Sequence, residues 1–284
     1  MSTAPPSPPT QAPEHVQRLL AAVAVVPVLA SVYQTLVLTD VTSDVIRKGV
    51  EGDSYQMIWT NVAWGVSVLY GLFGGIAWMA RYGARSGLTV GLAVFALGNL
   101  LCGAAADVDT LCGAKLVEGI GKGMVIVLCR STLYKQFDRA VLVAIGIYGV
   151  LAYASRPTTP LFTALVNDAI SWRWVFWVNV PIALAGLVLV RAFFRPDRPP
   201  RPLPLRIDWL AVTLLAGWVV SLVFAFGWYR KWGGWSSNEF AAVAIAAVVL
   251  PVVLVARVWG GGSPDEHLTR VLKVRGYIDR KRHV

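Results

Sequence analysis

Eight stretches of mostly apolar residues alternate with short polar gaps along the chain, at about 18–38, 56–80, 86–106, 110–130, 141–165, 174–194, 209–229 and 240–259. Each is close to the ~20 residues a helix needs to cross ~30 Å of hydrocarbon. Buried strands of soluble α/β proteins last only about 4–8 residues, too short for this pattern. Backbone polar groups in lipid must be satisfied within the segment, so the spans are expected to be helices. The pattern predicts an all-α polytopic membrane protein. Three gaps stand out. Residues 39–55 form a polar loop with Asp40, Asp44, Glu51 and Asp53. Residues 195–206 are a Pro- and Arg-rich linker that cannot be helical. The run Gly260 to Pro264 ends the eighth span.

These gaps predict five regions: a disordered cytoplasmic tail (1–17), a six-helix domain (18–194), a cytoplasmic linker (195–206), two additional transmembrane helices (207–259), and a basic cytoplasmic tail (260–284). The last is read as the start of a missing C-terminal half. The first seventeen residues lack the basic region and cleavage site of a signal peptide, so the first span is expected to be retained.

Charged residues make up only 15% of the chain, against roughly 25% in soluble domains. The net charge of +10 suggests nucleic acid until its distribution is considered. If the N-terminus is cytoplasmic, eighteen Lys and Arg fall in inside segments and five in outside loops, with three within spans. That is the positive-inside pattern, with both termini cytoplasmic, and it needs no nucleic-acid partner. The expected setting is a lipid bilayer, the inner (plasma) membrane of a bacterium. The only histidines are His15, His267 and His283, all in polar terminal regions, so neither a His-rich metal set nor a Ser/His/Asp triad exists. An enzyme, a metal site and a bound cofactor are not expected. Cys102, Cys112 and Cys129 have no metal spacing and read as packing residues.

Polar residues inside spans carry the candidate chemistry. Lys115, Glu118 and Lys122 recur at i, i+3 and i+7, one face of the fourth span. A charge within a span costs several kcal/mol, so such residues usually face a cavity and serve function. A self-paired structural bridge, Lys115–Glu118 or Glu118–Lys122, is the alternative. Gly119 and Gly121 suit close helix packing. Arg156 is an intramembrane charge that reads as an anion clamp, as a residue snorkelling to the interface, or as a partner of Asp168.

Several strings resemble the first half of the fourteen-helix drug:proton antiporters (EmrB/QacA-like) of the major facilitator superfamily, over about residues 18–278. The strongest is Ser171-Trp-Arg-Trp-Val-Phe-Trp-Val-Asn-Val-Pro-Ile-Ala-Leu184. Its Trp172, Trp174 and Trp177 suit the outer water–lipid interface, and Pro181 is expected to kink the helix. Ile207-Asp-Trp-Leu210 and Gly233-Gly-Trp-Ser-Ser237 are similar to the family's seventh helix and the loop after it. Other motifs depart from the pattern. In the loop after span two, Arg81, Gly83 and Arg85 match the family's conformational-switch loop, but Ala80 replaces its aspartate. Lys115-Leu-Val-Glu118-Gly119-Ile-Gly121 keeps the spacing of Arg-x-x-Gln-Gly-x-Gly. In span five, Pro160 is retained from Gly-Pro-x-x-Gly-Gly; the acid of helix one is absent, with Tyr33 in its place.

The resemblance implies a proton-driven exporter of small molecules working by alternating access. Its substrate and proton pathway would hold Lys115, Glu118, Lys122 and Arg156, with Glu118 titrating. The formal +2 of that set favours anionic or neutral amphiphiles. A complementary half or a second copy would supply the opposite wall, and a periplasmic adaptor is a further partner the family allows. The alternative is a non-transporting remnant or scaffold.

Overall fold

The computed structural model describes residues 43–136, 171–194, 207–228 and 238–260, with single positions at 29, 32, 146, 149 and 150. The described elements are helices: α1 (Ser43–Gly49), α2 (Ser54–Tyr82), α3 (Ala84–Ala104), α4 (Val108–Gln136), α5 (Trp174–Trp177), α6 (Asn179–Phe193), α7 (Trp209–Trp228) and α8 (Asn238–Gly260). The chain divides into two compact units, residues 1–206 and 207–284. Apart from those single positions, the first and fifth predicted spans, with Arg156 and Pro160, lie outside the described residues.

Local chemistry sets the helix ends. Asp53 and Gln56 form a capping box at α2: the Asp53 carboxylate accepts from Ser54 N at 2.6 Å, and the Gln56 side chain accepts from Asp53 N at 2.8 Å. α2 ends at Gly83, whose φ of 87° and ψ of 164° lie in a region essentially open only to glycine. That turn lets α3 start one residue later. Asp107 caps α4 by accepting from Thr110 N at 2.7 Å. Between α5 and α6 the backbone stays helical through Val178, at φ −60° and ψ −29°. Pro181 has no N–H to donate to the Trp177 carbonyl, so one hydrogen bond of this turn is missing.

Among the described residues, five helical segments are long and apolar enough to cross a membrane: Ser54–Tyr82, Ala84–Ala104, Trp174–Ala192, Trp209–Phe226 and Phe240–Arg257. The fourth predicted span is also a long helix, but its charges keep it out of that set, and its 29 residues run further than expected, to Gln136. Protein covers its charged face instead, while Leu116 and Ile120 stay exposed. α4 packs against α2 on one side and α3 on the other. A Cβ on Gly119 would fall on Ser67 Oγ and the Trp64 carbonyl, and one on Gly121 would fall on the backbone of Phe95. Gly98 of α3 likewise meets the backbone of Glu118. Small residues thus bring three backbones into contact.

Two apolar clusters form the core of this unit. One, nearer Gly83, includes Leu88, Leu92, Phe95, Met124, Val125, Leu128 and Val190. The other, nearer Asp107, includes Ile46, Met57, Cys102, Leu111, Ala114, Trp172 and Phe176. α4 runs from one to the other, and its Lys115, Glu118 and Lys122 occupy the interval.

Two expectations need correction. The polar loop 39–55 contains α1, whose Ile46 is buried in the second cluster. Trp172 is not at a lipid interface: it is 6% exposed, with its indole against Gly49, where only a missing side chain leaves room. Trp177 packs its indole on Gly103 and donates to the Leu100 carbonyl at 3.4 Å. Only Trp174 of the three is widely exposed.

The second unit is a hairpin of α7 and α8. Asp208 caps α7 by accepting from Leu210 N and Ala211 N, and it receives a two-pronged ion pair from Arg257 (2.7 and 3.2 Å). Pro251, inside α8, leaves the Ala247 carbonyl without its usual donor.

Candidate functional site

Lys115, Glu118 and Lys122 sit on successive turns of α4 and meet in the interior. Glu118 Oε1 lies 3.0 Å from Lys122 Nζ, and Oε2 lies 3.7 Å from Lys115 Nζ. None of the three residues is more than 2% exposed. Aromatic rings cover both cations. The Lys122 ammonium is 4.9 Å from the ring centre of Trp64 on α2, and that of Lys115 is 4.8 Å from Phe176 on α5. Ser67 of α2 donates to the Lys115 carbonyl at 3.4 Å and to the Trp64 carbonyl at 2.8 Å. Both Glu118 oxygens and Trp64 Nε1 are buried without a hydrogen bond of good geometry, so charge attraction is what holds the carboxylate.

The sequence pattern led to an expectation of a cavity wall. In the structure the three residues lie between α2, α3 and α5, and both candidate bridges are present around one acid. With all groups ionised the cluster carries +1. Such a set can exchange a proton, or meet an anion if the enclosing helices part.

The switch-loop residues are at the Gly83 end. Arg81 is exposed, its guanidinium 5.5 Å from the Tyr82 ring centre. Gly83 makes the turn. The Arg85 guanidinium donates to the Arg191 carbonyl at 2.6 Å, placing a cation on the C-terminal end of α6. This contact ties the α2–α3 turn to α6. A neutral link joins the same two helices deeper in: Asn179 donates its side-chain amide to Asn99 Oδ1 at 3.2 Å, with both residues buried.

Sequence reasoning did not single out Asn99, Asn179, Ser67, Phe176 or the part played by Trp64. The available signal was polarity within a span: Asn99 and Ser67 are polar positions in otherwise apolar helices. Outside the spans, the hydrogen bonds from Thr110 hold the Asp107 carboxyl below the usual carboxylate range, and the Arg257 guanidinium does the same for Asp208.

Long apolar helices packed around a buried ionic cluster define a polytopic membrane protein. The sequence matches the family model of the Major Facilitator Superfamily over residues 20–262, and the chain belongs to that family. It is 31% identical to "Efflux pump FUS6" of Gibberella fujikuroi over 180 residues, covering 59% of this chain and 32% of that protein. It is 27% identical to "Multidrug resistance protein 3" of Bacillus subtilis over 201 residues, covering 70% of this chain and 38% of the relative. The matched region spans about a third of the length of these curated relatives. The fold is also that of a crystallised peptide transporter, POT, in complex with sulfate, at a TM-score of 0.58 and 15% identity, covering 92% of this chain and 55% of the other.

Proposed function

We propose that this chain serves proton-coupled export of small amphiphilic molecules, in the manner of the fourteen-helix drug:proton antiporters. Its six-span unit would form one wall of an alternating-access path, and a complementary half or a second copy of the chain would form the other. The observation that carries this reading is the Lys115–Glu118–Lys122 cluster. Burying three charges inside a membrane bundle is costly, and a purely structural core would be served as well by apolar residues of similar volume. The names of the relatives, an efflux pump and a multidrug resistance protein, support export. The surplus positive charge of the cluster disfavours lipophilic cations and suits anionic or neutral amphiphiles.

The test compares everted membrane vesicles from the native host with those from a deletion strain. Gradient-dependent accumulation of an anionic or neutral fluorescent amphiphile, abolished by an uncoupler, is expected only in the former. Equal accumulation in both would contradict the proposal, as would transport of a cationic dye that survives Glu118→Gln.

The proposed orientation places both termini in the cytoplasm of a bacterial cell. With the three native cysteines replaced, single cysteines at Ser43, Asp107 and Ser237 label from outside in intact cells, and one at Ser86 does not. Labelling at Ser86 by an impermeant reagent would reverse the orientation.

A further inference from the structure

At the Gly83 end, α2 finishes in a second polar cluster, this one open to the outside. α2 is long and apolar enough to cross a membrane, and its last turns carry Trp78, Arg81 and Tyr82. Trp78 and Tyr82 are one turn apart on the same face, with ring centres 5.0 Å apart. The Arg81 guanidinium lies 5.5 Å from the Tyr82 ring centre. Across the turn, Trp78 Nε1 donates to Ser86 Oγ at 3.1 Å, which fixes the indole against the start of α3. Gly87 leaves room for that ring: a Cβ there would lie 3.4 Å from Trp78 Cδ1. Ser86 accepts this bond and keeps its own hydroxyl hydrogen for another acceptor.

Arg81 is exposed, and Tyr82 is 48% exposed. Among the described residues, none forms a hydrogen bond or an ion pair with the Arg81 guanidinium. The same end of the unit carries Arg85, Arg130 and Arg191. Among the described residues, α2, α3 and α6 contain no acid. The last acid of α4 is Glu118, about 18 Å along the helix from Arg130. Surplus positive charge, paired aromatic rings and the end of an apolar span thus coincide. Trp and Tyr lodge at headgroup depth in a bilayer, and a guanidinium binds phosphate oxygens while resting on an aromatic ring.

We propose that Trp78, Arg81, Tyr82 and Ser86 form a binding site for the headgroup of an anionic phospholipid. Arg81 meets the phosphodiester, the two rings lie along the glycerol and the upper acyl chains, and the Ser86 hydroxyl donates to a lipid oxygen. A diacyl lipid matches both parts of the site, with a negative headgroup and an apolar body; free phosphate matches only the first. Binding of this kind is independent of transport. The orientation proposed above assigns the site to the cytoplasmic leaflet, where acidic lipids gather basic residues.

The test titrates the full chain in detergent micelles with phosphatidylglycerol and with phosphatidylcholine of the same acyl chains, and reads bound lipid by native mass spectrometry. The wild type is expected to hold phosphatidylglycerol more tightly. Arg81→Gln weakens that binding about fivefold, the scale of one basic residue at an anionic surface. Lys48→Gln, an equal charge change at an exposed residue of α1, leaves it unchanged. Both side chains are exposed, so neither variant threatens the fold. Inorganic phosphate in excess does not displace the lipid. A photo-crosslinking amino acid at Tyr82, irradiated in host membranes, adds the mass of one phospholipid. Equal retention of the two lipids, equal losses from the two variants, displacement by phosphate, or a crosslink to a protein or to a second copy of the chain would each overturn the proposal.

Discussion

α4 and α8 are both long helices in a chain built for lipid, yet they meet the same constraint in opposite ways. α8 is apolar along its length, and almost none of its most apolar stretch is buried by protein; Ile245, Val248, Val252 and Val255 remain exposed. α4 carries three charges near its middle and hides them completely between neighbouring helices. The hairpin of α7 and α8 keeps the ion pair Asp208–Arg257 at the helix ends, where both side chains are more than 40% exposed. The difference shows what the extra helices of the first unit accomplish: they make an interior in which charge can be held away from lipid. A helix that faces lipid cannot hold charge in this way.

That contrast is sharpened by removing one charge from each unit. Glu118→Gln leaves two buried lysines without their acid and is expected to cost about 3–5 kcal/mol, the range for breaking a buried pair. Asp208→Asn removes an exposed, solvent-screened partner and is expected to leave the melting curve of nanodisc-embedded protein nearly unchanged. A comparable loss for both would erase the distinction.

Glycine offers a second test of opposite sign. Gly121→Ala drives a methyl group into the backbone of Phe95 and should destabilise by about 1–3 kcal/mol, as overpacking does. Gly217→Ala in α7 meets only the flexible end of Leu250, at 3.4 Å, and should be neutral or gain up to roughly 1 kcal/mol from helix propensity. Thermal unfolding of the two variants side by side decides this.

A smaller effect is expected at the Gly83 end. Arg85→Ala removes the donor to the Arg191 carbonyl, so the last turn of α6 should exchange its amide hydrogens faster at 190–194, while α3 amides near Phe95 stay protected. Unchanged exchange would mean that the contact does not tie the turn to α6.

The smallest is a pH effect at the α4 cap. The Asp107 carboxyl is held below its ordinary value, so its contribution is present above the unfolded carboxylate range and is lost as pH falls through the folded value. Protection of the Thr110 and Leu111 amides, relative to their intrinsic exchange rates, should fall on acidification. Asp107→Asn retains a capping oxygen and should remove this dependence.

Much of this contrast was legible in the sequence. Apolar run length located α2, α3, α4, α7 and α8 within a few residues, except at the far end of α4, because crossing lipid leaves so little freedom. The spacing of Lys115, Glu118 and Lys122 placed them on one face. It did not tell which neighbours cover that face, since Trp64, Ser67 and Phe176 come from helices whose rotation is fixed by tertiary packing. α1 was missed because seven residues are too few for a periodic signal. Trp172 was misjudged because an interfacial and a buried tryptophan look alike until Gly49 is found beneath the ring. The Asn99–Asn179 link joins residues far apart in sequence, and neither alone announces the other.

The central claim is that the buried cluster serves transport and not merely folding. The double variant Glu118→Gln with Lys122→Met tests it most directly, since it deletes both members of the shorter ion pair and leaves one buried lysine instead of two. The account predicts a protein that melts higher than Glu118→Gln alone yet, in host vesicles, has lost gradient-driven accumulation of the amphiphile. Accumulation equal to that of the wild type would show that the charges are structural and would contradict it.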